Sequence, residues 1–137
     1  MLSIGELAHR TGVKIPTIRY YEQMGLMEEP ERSHGNQRRY TADGLRRLSF
    51  IRHARELGFS IEDIRRLSEL SGHPGQPCAS AHDIARSQLS CVRSRILRLK
   101  RLESELARIA ALPDAGHVEN CQVIEALADH ELCGGEH

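Results

Sequence analysis

Between Ala79 and Ala111 the sequence repeats every seven residues: Ala85, Leu89, Val92, Ile96, Leu99, Leu106 and Ala110 share one seam, with Glu103 its only charged member. The other faces carry Arg86, Arg93, Arg95, Arg98, Lys100, Arg101, Glu105 and Arg108. Such a helix hides little when alone in water and needs a partner along most of its length. No other stretch of the chain is long enough to receive it, which points to a second copy and a homodimer. In an antiparallel pair the start of one helix lies beside the end of the other. Cys78, just before the helix in one subunit, then meets His117 and Cys121, beyond the helix in its mate.

The rest of the composition narrows the possibilities. A chain of 137 residues with 4% aromatic residues and no Trp makes a modest core, completed by dimerisation. Formal net charge is zero, but residues 1–70 hold 12 Lys/Arg against 10 Asp/Glu, and residues 112–137 hold six acidic residues and no Lys or Arg. No apolar run is long enough to span a bilayer, and the first residues lack the basic start and apolar centre of a signal peptide. A cytoplasmic protein without membrane contact is expected. Four cysteines in that setting point to metal ligands, redox thiols or core residues rather than a disulfide framework.

In the front half, Ser3 is placed to cap a short helix with Ile4, Leu7 and Ala8 on its apolar face, ending at Thr11-Gly12. A second helix runs from Lys14 to Met24 with Pro16 in its first turn, and Gly25 stops it. Two short helices joined by a tight turn make a helix-turn-helix, whose second helix presents residues near its N-terminus to the major groove. Lys14, Thr17, Arg19, Tyr20 and Tyr21 supply cations, a hydroxyl and phenols for that task, although Ile18 and one of the tyrosines must enter the core. From Arg32 to Tyr40 the chain reads as a hairpin turning at Gly35-Asn36. As a wing it lays Arg32, Arg38 and Arg39 along phosphates, with Tyr40 anchoring the return strand. Thr41-Ala42-Asp43 caps a third helix with Leu45, Leu48, Ile51 and Ala54 inward, and Ser60 opens a fourth in which Ile61, Ile64, Leu67 and Leu70 pack.

The segments Ile4-Gly-Glu-Leu-Ala, Thr17-Ile-Arg-Tyr-Tyr-Glu-Gln-Met-Gly-Leu26, Gly35-Asn-Gln-Arg-Arg-Tyr40, and Leu48-Ser-Phe-Ile-Arg52 through Leu57-Gly-Phe-Ser-Ile-Glu-Asp-Ile64, in that order, resemble the MerR family of bacterial transcription regulators. The resemblance implies a mainly α fold. A winged helix-turn-helix DNA-binding domain with a second helix pair fills residues 1–70, and a linker and antiparallel dimerisation coiled coil fill 71–111. A short C-terminal metal-binding loop, helix and tail occupy 112–137. It also implies a mechanism: the homodimer sits on a promoter with an overlong spacer, and effector binding bends and untwists the DNA so that RNA polymerase engages both promoter elements. By that resemblance Arg19, Tyr20, Arg38 and Tyr40 fall on DNA-contacting positions. Gln37 departs from the family's wing, which commonly has Tyr there.

The same resemblance bears on the effector. A cysteine at Cys78 is similar to the one that sensors of divalent ions contribute from the opposite subunit, where sensors of monovalent ions usually have Ser. His117-Val-Glu-Asn-Cys121 is similar to the zinc-sensor pattern. A metal site of Cys78, His117 and Cys121 suits Zn²⁺ first, which favours tetrahedral thiolate and imidazole ligands, with Cd²⁺ or Pb²⁺ as other divalent candidates. The family's sensors carry a further loop cysteine where this chain has Leu112-Pro113-Asp114. His130, Cys133 and His137 are candidates to complete the set, while Asp114 and Glu119 are candidates for oxygen ligands or hydrogen bonds to the imidazole. Cys91 reads as a small buried hydrophobe, and His9, His34, His53, His73 and His82 as surface or packing residues.

A second reading of the same fold makes Cys78 or Cys121 a redox or electrophile switch. The missing loop cysteine favours it, and the presence of His117 and Cys78 opposes it. An enzyme built on a Cys/His pair is not expected, because no third orienting residue, Gly-rich phosphate loop or cleft-sized domain accompanies the pair.

Overall fold

The computed structural model describes residues 1–129 except Ser33, Asn36 and Gln37, and all of Arg38 but its side chain. The elements run α1 (Ile4–Thr11), α2 (Ile15–Gln23), β1 (Glu31–Arg32), β2 (Arg38–Arg39), α3 (Ala42–Glu56), α4 (Ile61–Ser71), α5 (Ala79–Ala110), a 3-10 turn (Val118–Asn120) and α6 (Gln122–Ala128). They fall into two compact units, Met1–Ala85 and Arg86–His137.

Local chemistry sets the boundaries of the first unit. Ser3 Oγ accepts from the Glu6 N–H at the start of α1, Thr41 from Gly44 ahead of α3, and Ser60 from Asp63 ahead of α4, each satisfying a donor that the helix leaves unpaired. Gly12, at φ 73°, turns the chain out of α1. Pro16 occupies the first turn of α2. β1 and β2 pair antiparallel with Glu31 opposite Arg39 and Arg32 opposite Arg38, and Leu2 bridges Tyr40 so that the chain start joins the base of the hairpin.

One core holds these pieces together. Leu7, Ile18, Leu48, Ile51 and Ile64 are fully buried, joined by Val13, Tyr21, Leu26, Met27, Tyr40 and Ala54. Each fully buried Leu or Ile contributes roughly 1.5–3 kcal/mol. The inward face expected for α3 is present, with Leu45 only half-buried at its edge. On α4 only Ile64 is fully enclosed, while Ile61, Leu67 and Leu70 are half-buried.

Among the described residues of the second unit, Ile109, near the end of α5, and Ala126 in α6 are buried. Along α5 the seam stands open: Leu89, Ile96, Leu99 and Leu106 are all exposed. Cys91 is exposed rather than buried, because it precedes Val92 by one residue and so points about 100° away from the seam. No helix among the described residues is long and apolar enough to cross a membrane.

Candidate nucleic-acid interface and metal centre

α2 divides its residues by helical period. Ile18 and Tyr21 turn inward, whereas Lys14, Arg19 and Tyr20 are exposed and Thr17 is half-buried. Tyr20 is 46% exposed against 7% for Tyr21, so the core takes Tyr21 and leaves Tyr20 on the surface. Lys14 sits at the N-cap position without a side-chain cap, its carbonyl accepting from Thr17 and Ile18. A cation is thereby held at the helix start, beside the N–H groups that favour anions.

The wing adds Arg32, exposed, and Arg39, half-buried, on opposite strands. The backbone of Arg38 pairs with Arg32, so basic residues occupy both strands of that rung. The expected turn residue Asn36 and the variant position Gln37 lie outside the described residues. Tyr40 is buried, and its hydroxyl donates to Glu22 Oε1 on α2. Of the nine residues expected at DNA, Tyr21 and Tyr40 are buried in the core.

Two further arginines, to which the sequence pattern assigned no role, brace this surface. Arg52 of α3 donates to the Thr11 carbonyl at the end of α1 and pairs with Glu56 at 3.1 Å. Arg65 of α4 donates to the Met24 carbonyl at the end of α2 and pairs with Glu62 at 3.1 Å. Each places a cation on carbonyls that a helix end leaves unsatisfied.

At the other candidate centre, Cys78 is exposed immediately before α5, and its carbonyl accepts from the His82 N–H. In the second unit a short turn organises the loop. Asp114 Oδ1 accepts from Gly116 N–H at 2.8 Å, with Gly116 at φ 86°. The 3-10 turn then runs from exposed His117 to half-buried Cys121, closed by Asn120 N–H on the His117 carbonyl and Cys121 N–H on the Val118 carbonyl. Cys121 is the N-cap of α6 and makes no side-chain capping bond. Imidazole and thiol thus flank one tight turn, a donor pair that suits a borderline-soft ion. Asp114 is partly engaged by the loop backbone, and Glu119 is exposed. Within the chain, no group of three or more His, Cys, Asp or Glu among the described residues is placed to hold a metal ion. His130, Cys133 and His137 lie outside the described residues. His9, His34, His53, His73 and His82 are all exposed.

Residues 2–70 match the family described as MerR HTH family regulatory protein, and residues 45–109 match the description MerR, DNA binding. The chain belongs to the MerR family. Among curated proteins it is 41% identical to the HTH-type transcriptional regulator ZntR of Escherichia coli (strain K12), over 93% of this chain and 92% of that protein. It is 35% identical to the mercuric resistance operon regulatory protein of Bacillus cereus, over 90% and 95%. Among solved structures it is similar to the transcription regulator PbrR691 from Ralstonia metallidurans CH34 in complex with lead(II), with a TM-score of 0.80 and 34% identity over 93% of this chain and 99% of that one. As a MerR-family protein it is a DNA-binding transcription regulator, not an enzyme.

Proposed function

We propose that this MerR-family chain is a cytoplasmic, metal-responsive transcription regulator that binds promoter DNA as a homodimer. It activates transcription by distorting that DNA when a divalent ion binds at the dimer interface. The observation that carries the reading is the loop geometry: His117 and Cys121 flank one 3-10 turn, and the Cys121 thiol is not spent on capping. An exposed Cys78 at the start of α5 supplies the further thiolate from the opposite subunit. The relatives named for mercuric resistance and solved with lead(II) support a metal effector.

Each residue has a separable task. Lys14, Thr17, Arg19 and Tyr20 meet the major groove and its phosphates, and Arg32, Arg38 and Arg39 meet the flanking backbone. Cys78, His117 and Cys121 hold the ion, and two thiolates with one imidazole favour Zn²⁺, with Cd²⁺ next. Tying the loop of one subunit to the α5 start of the other couples the site to the relative placement of the two DNA-binding units. Bending and untwisting a short operator costs on the order of a few kcal/mol, which differential ion binding can supply, and RNA polymerase then engages the realigned promoter.

Subunit mixing tests the shared site. Cys78→Ser and Cys121→Ser homodimers should each lose the metal response while retaining operator binding. A heterodimer of the two variants keeps one complete site, joining Cys78 of one subunit to His117 and Cys121 of the other. It should recover tight binding of one Zn²⁺ and part of the response. No recovery would defeat an intersubunit site. A response to peroxide or electrophiles without any to metals would replace the metal reading with thiol chemistry.

A further inference from the structure

α5 is one continuous helix, and its seam positions Leu89, Ile96, Leu99 and Leu106 are exposed in the single chain, as are Ala85, Glu103 and Ala110, with Val92 half-buried. We propose that Glu103 locks the antiparallel pairing of this seam into a single register. The inference rests on the homodimer proposed above and adds which residues meet and what selects their alignment.

The spacing of the seam carries it. Its members alternate in steps of four and three from Ala85 through Glu103 to Ala110. Two copies laid antiparallel pair every member only when Ala85 faces the partner's Ala110. Leu89 then faces the partner's Leu106, Val92 the partner's Glu103, and Ile96 the partner's Leu99. Small residues meet small ones at both ends and branched aliphatics meet in the middle, as knobs-into-holes packing requires. A slip of one heptad leaves two seam positions of each helix unmatched. A parallel pair in register matches all eight but sets Glu103 against Glu103, opposing like charges in an apolar seam.

The same alignment supplies partners for the carboxylate. Glu103 faces the partner's Val92, next to the partner's Arg93, and Lys100 lies three residues back on its own helix, within side-chain reach. Arg93 and Lys100 flank the seam at equivalent heptad positions, so this register brings the Lys100 of one helix beside the partner's Arg93. Glu103 sits between these two cations and removes their repulsion. A single polar residue on a coiled-coil seam specifies register at some cost in stability. With Ala85 level with the partner's Ala110, Cys78 projects past the end of the partner's α5, where the loop to His117 departs. The alignment that pairs every seam layer is thus one that brings the proposed ligands together.

Dipolar spectroscopy on metal-free, reduced, full-length protein tests this. The four cysteines are replaced by Ser and a spin label is placed at Ser90→Cys, with sedimentation equilibrium run on the same sample. The register separates the two labelled positions by about 22 Å along the coil axis, a slip of one heptad changes that by about 10 Å, and a parallel pair brings it near zero. A single separation is expected, equal to that axial offset combined with the lateral spacing of the two labels. Glu103→Leu should stay dimeric but add a second separation. Glu103→Lys should weaken dimerisation by about tenfold or more, and Arg93→Glu with Lys100→Glu should restore it. A monomeric protein would overturn the homodimer itself. A dimer with a different single separation would overturn the register and leave the homodimer standing. An unchanged separation in Glu103→Leu would remove Glu103 as the lock.

Discussion

Arg65 on α4 donates a hydrogen bond to the carbonyl of Met24, the residue that closes α2. The candidate recognition helix is therefore held at its C-terminus by α4, while Lys14, Arg19 and Tyr20 are exposed. Glu62 fixes the same guanidinium from one turn away. Arg65 thus ties the end of α2 to α4.

Replacing Arg65 with Ala should lower stability by about 1 kcal/mol, because a charged hydrogen bond is lost at a side chain already 35% exposed. Urea unfolding measures that loss. Operator affinity should fall as well, with the salt dependence unchanged, since no phosphate contact is removed.

Gly12→Ala tests the other brace. Gly12 has φ 73°, and a Cβ there would lie 2.9 Å from Arg52 Nη1. The left-handed conformation costs roughly 1–2 kcal/mol for a residue with a side chain, and Arg52 must also move off the Thr11 carbonyl. A drop in thermal midpoint of several degrees is expected, and Gly25→Ala, where nothing lies within 4 Å, should cost less.

Arg19→Ala should reduce the slope of log affinity against log salt by about 0.9, the loss of one phosphate neutralisation. Tyr21→Ala should behave differently. Its ring is buried, so the variant loses roughly 3–5 kcal/mol of stability before any DNA contact is at issue. Binding isotherms over a salt series, together with unfolding curves, separate the two outcomes.

Chelation should leave the first unit folded. Its core from Leu7 to Ile64 contains none of Cys78, His117 and Cys121, so the cooperative unfolding of residues 1–85 does not depend on an ion. Circular dichroism with and without a chelator should show the same helical signal for this unit, unlike a zinc finger, which unfolds without its metal. Loss of most of the helix on chelation would contradict it.

Much of the first unit was legible in advance because its signals are local. Ser3, Thr41 and Ser60 cap helices, Pro16 and Gly12 mark ends, and apolar residues recur at helical period. Which of two adjacent tyrosines enters the core was not legible, because Tyr20 and Tyr21 are chemically identical and only the way α2 joins the core separates them. The partners of Arg52 and Arg65 were also hidden. Each arginine reaches a carbonyl 41 residues earlier in the chain, and no pattern in the sequence reports such a pairing. Of the candidate metal site, the sequence named Cys78, His117 and Cys121, while the structure added the 3-10 turn that His117 and Cys121 flank.

By itself the sequence determined where the helices lie, that α5 exposes an apolar seam, and which thiols and imidazoles flank it, because helix period, caps and breakers act over a few residues. Only the tertiary structure decided that Tyr40 is buried with its hydroxyl on Glu22 and that Arg52 and Arg65 clamp helix ends. Those outcomes depend on which distant surfaces meet when one core closes around Leu7, Ile18, Leu48, Ile51 and Ile64, and a linear pattern does not encode that meeting residue by residue.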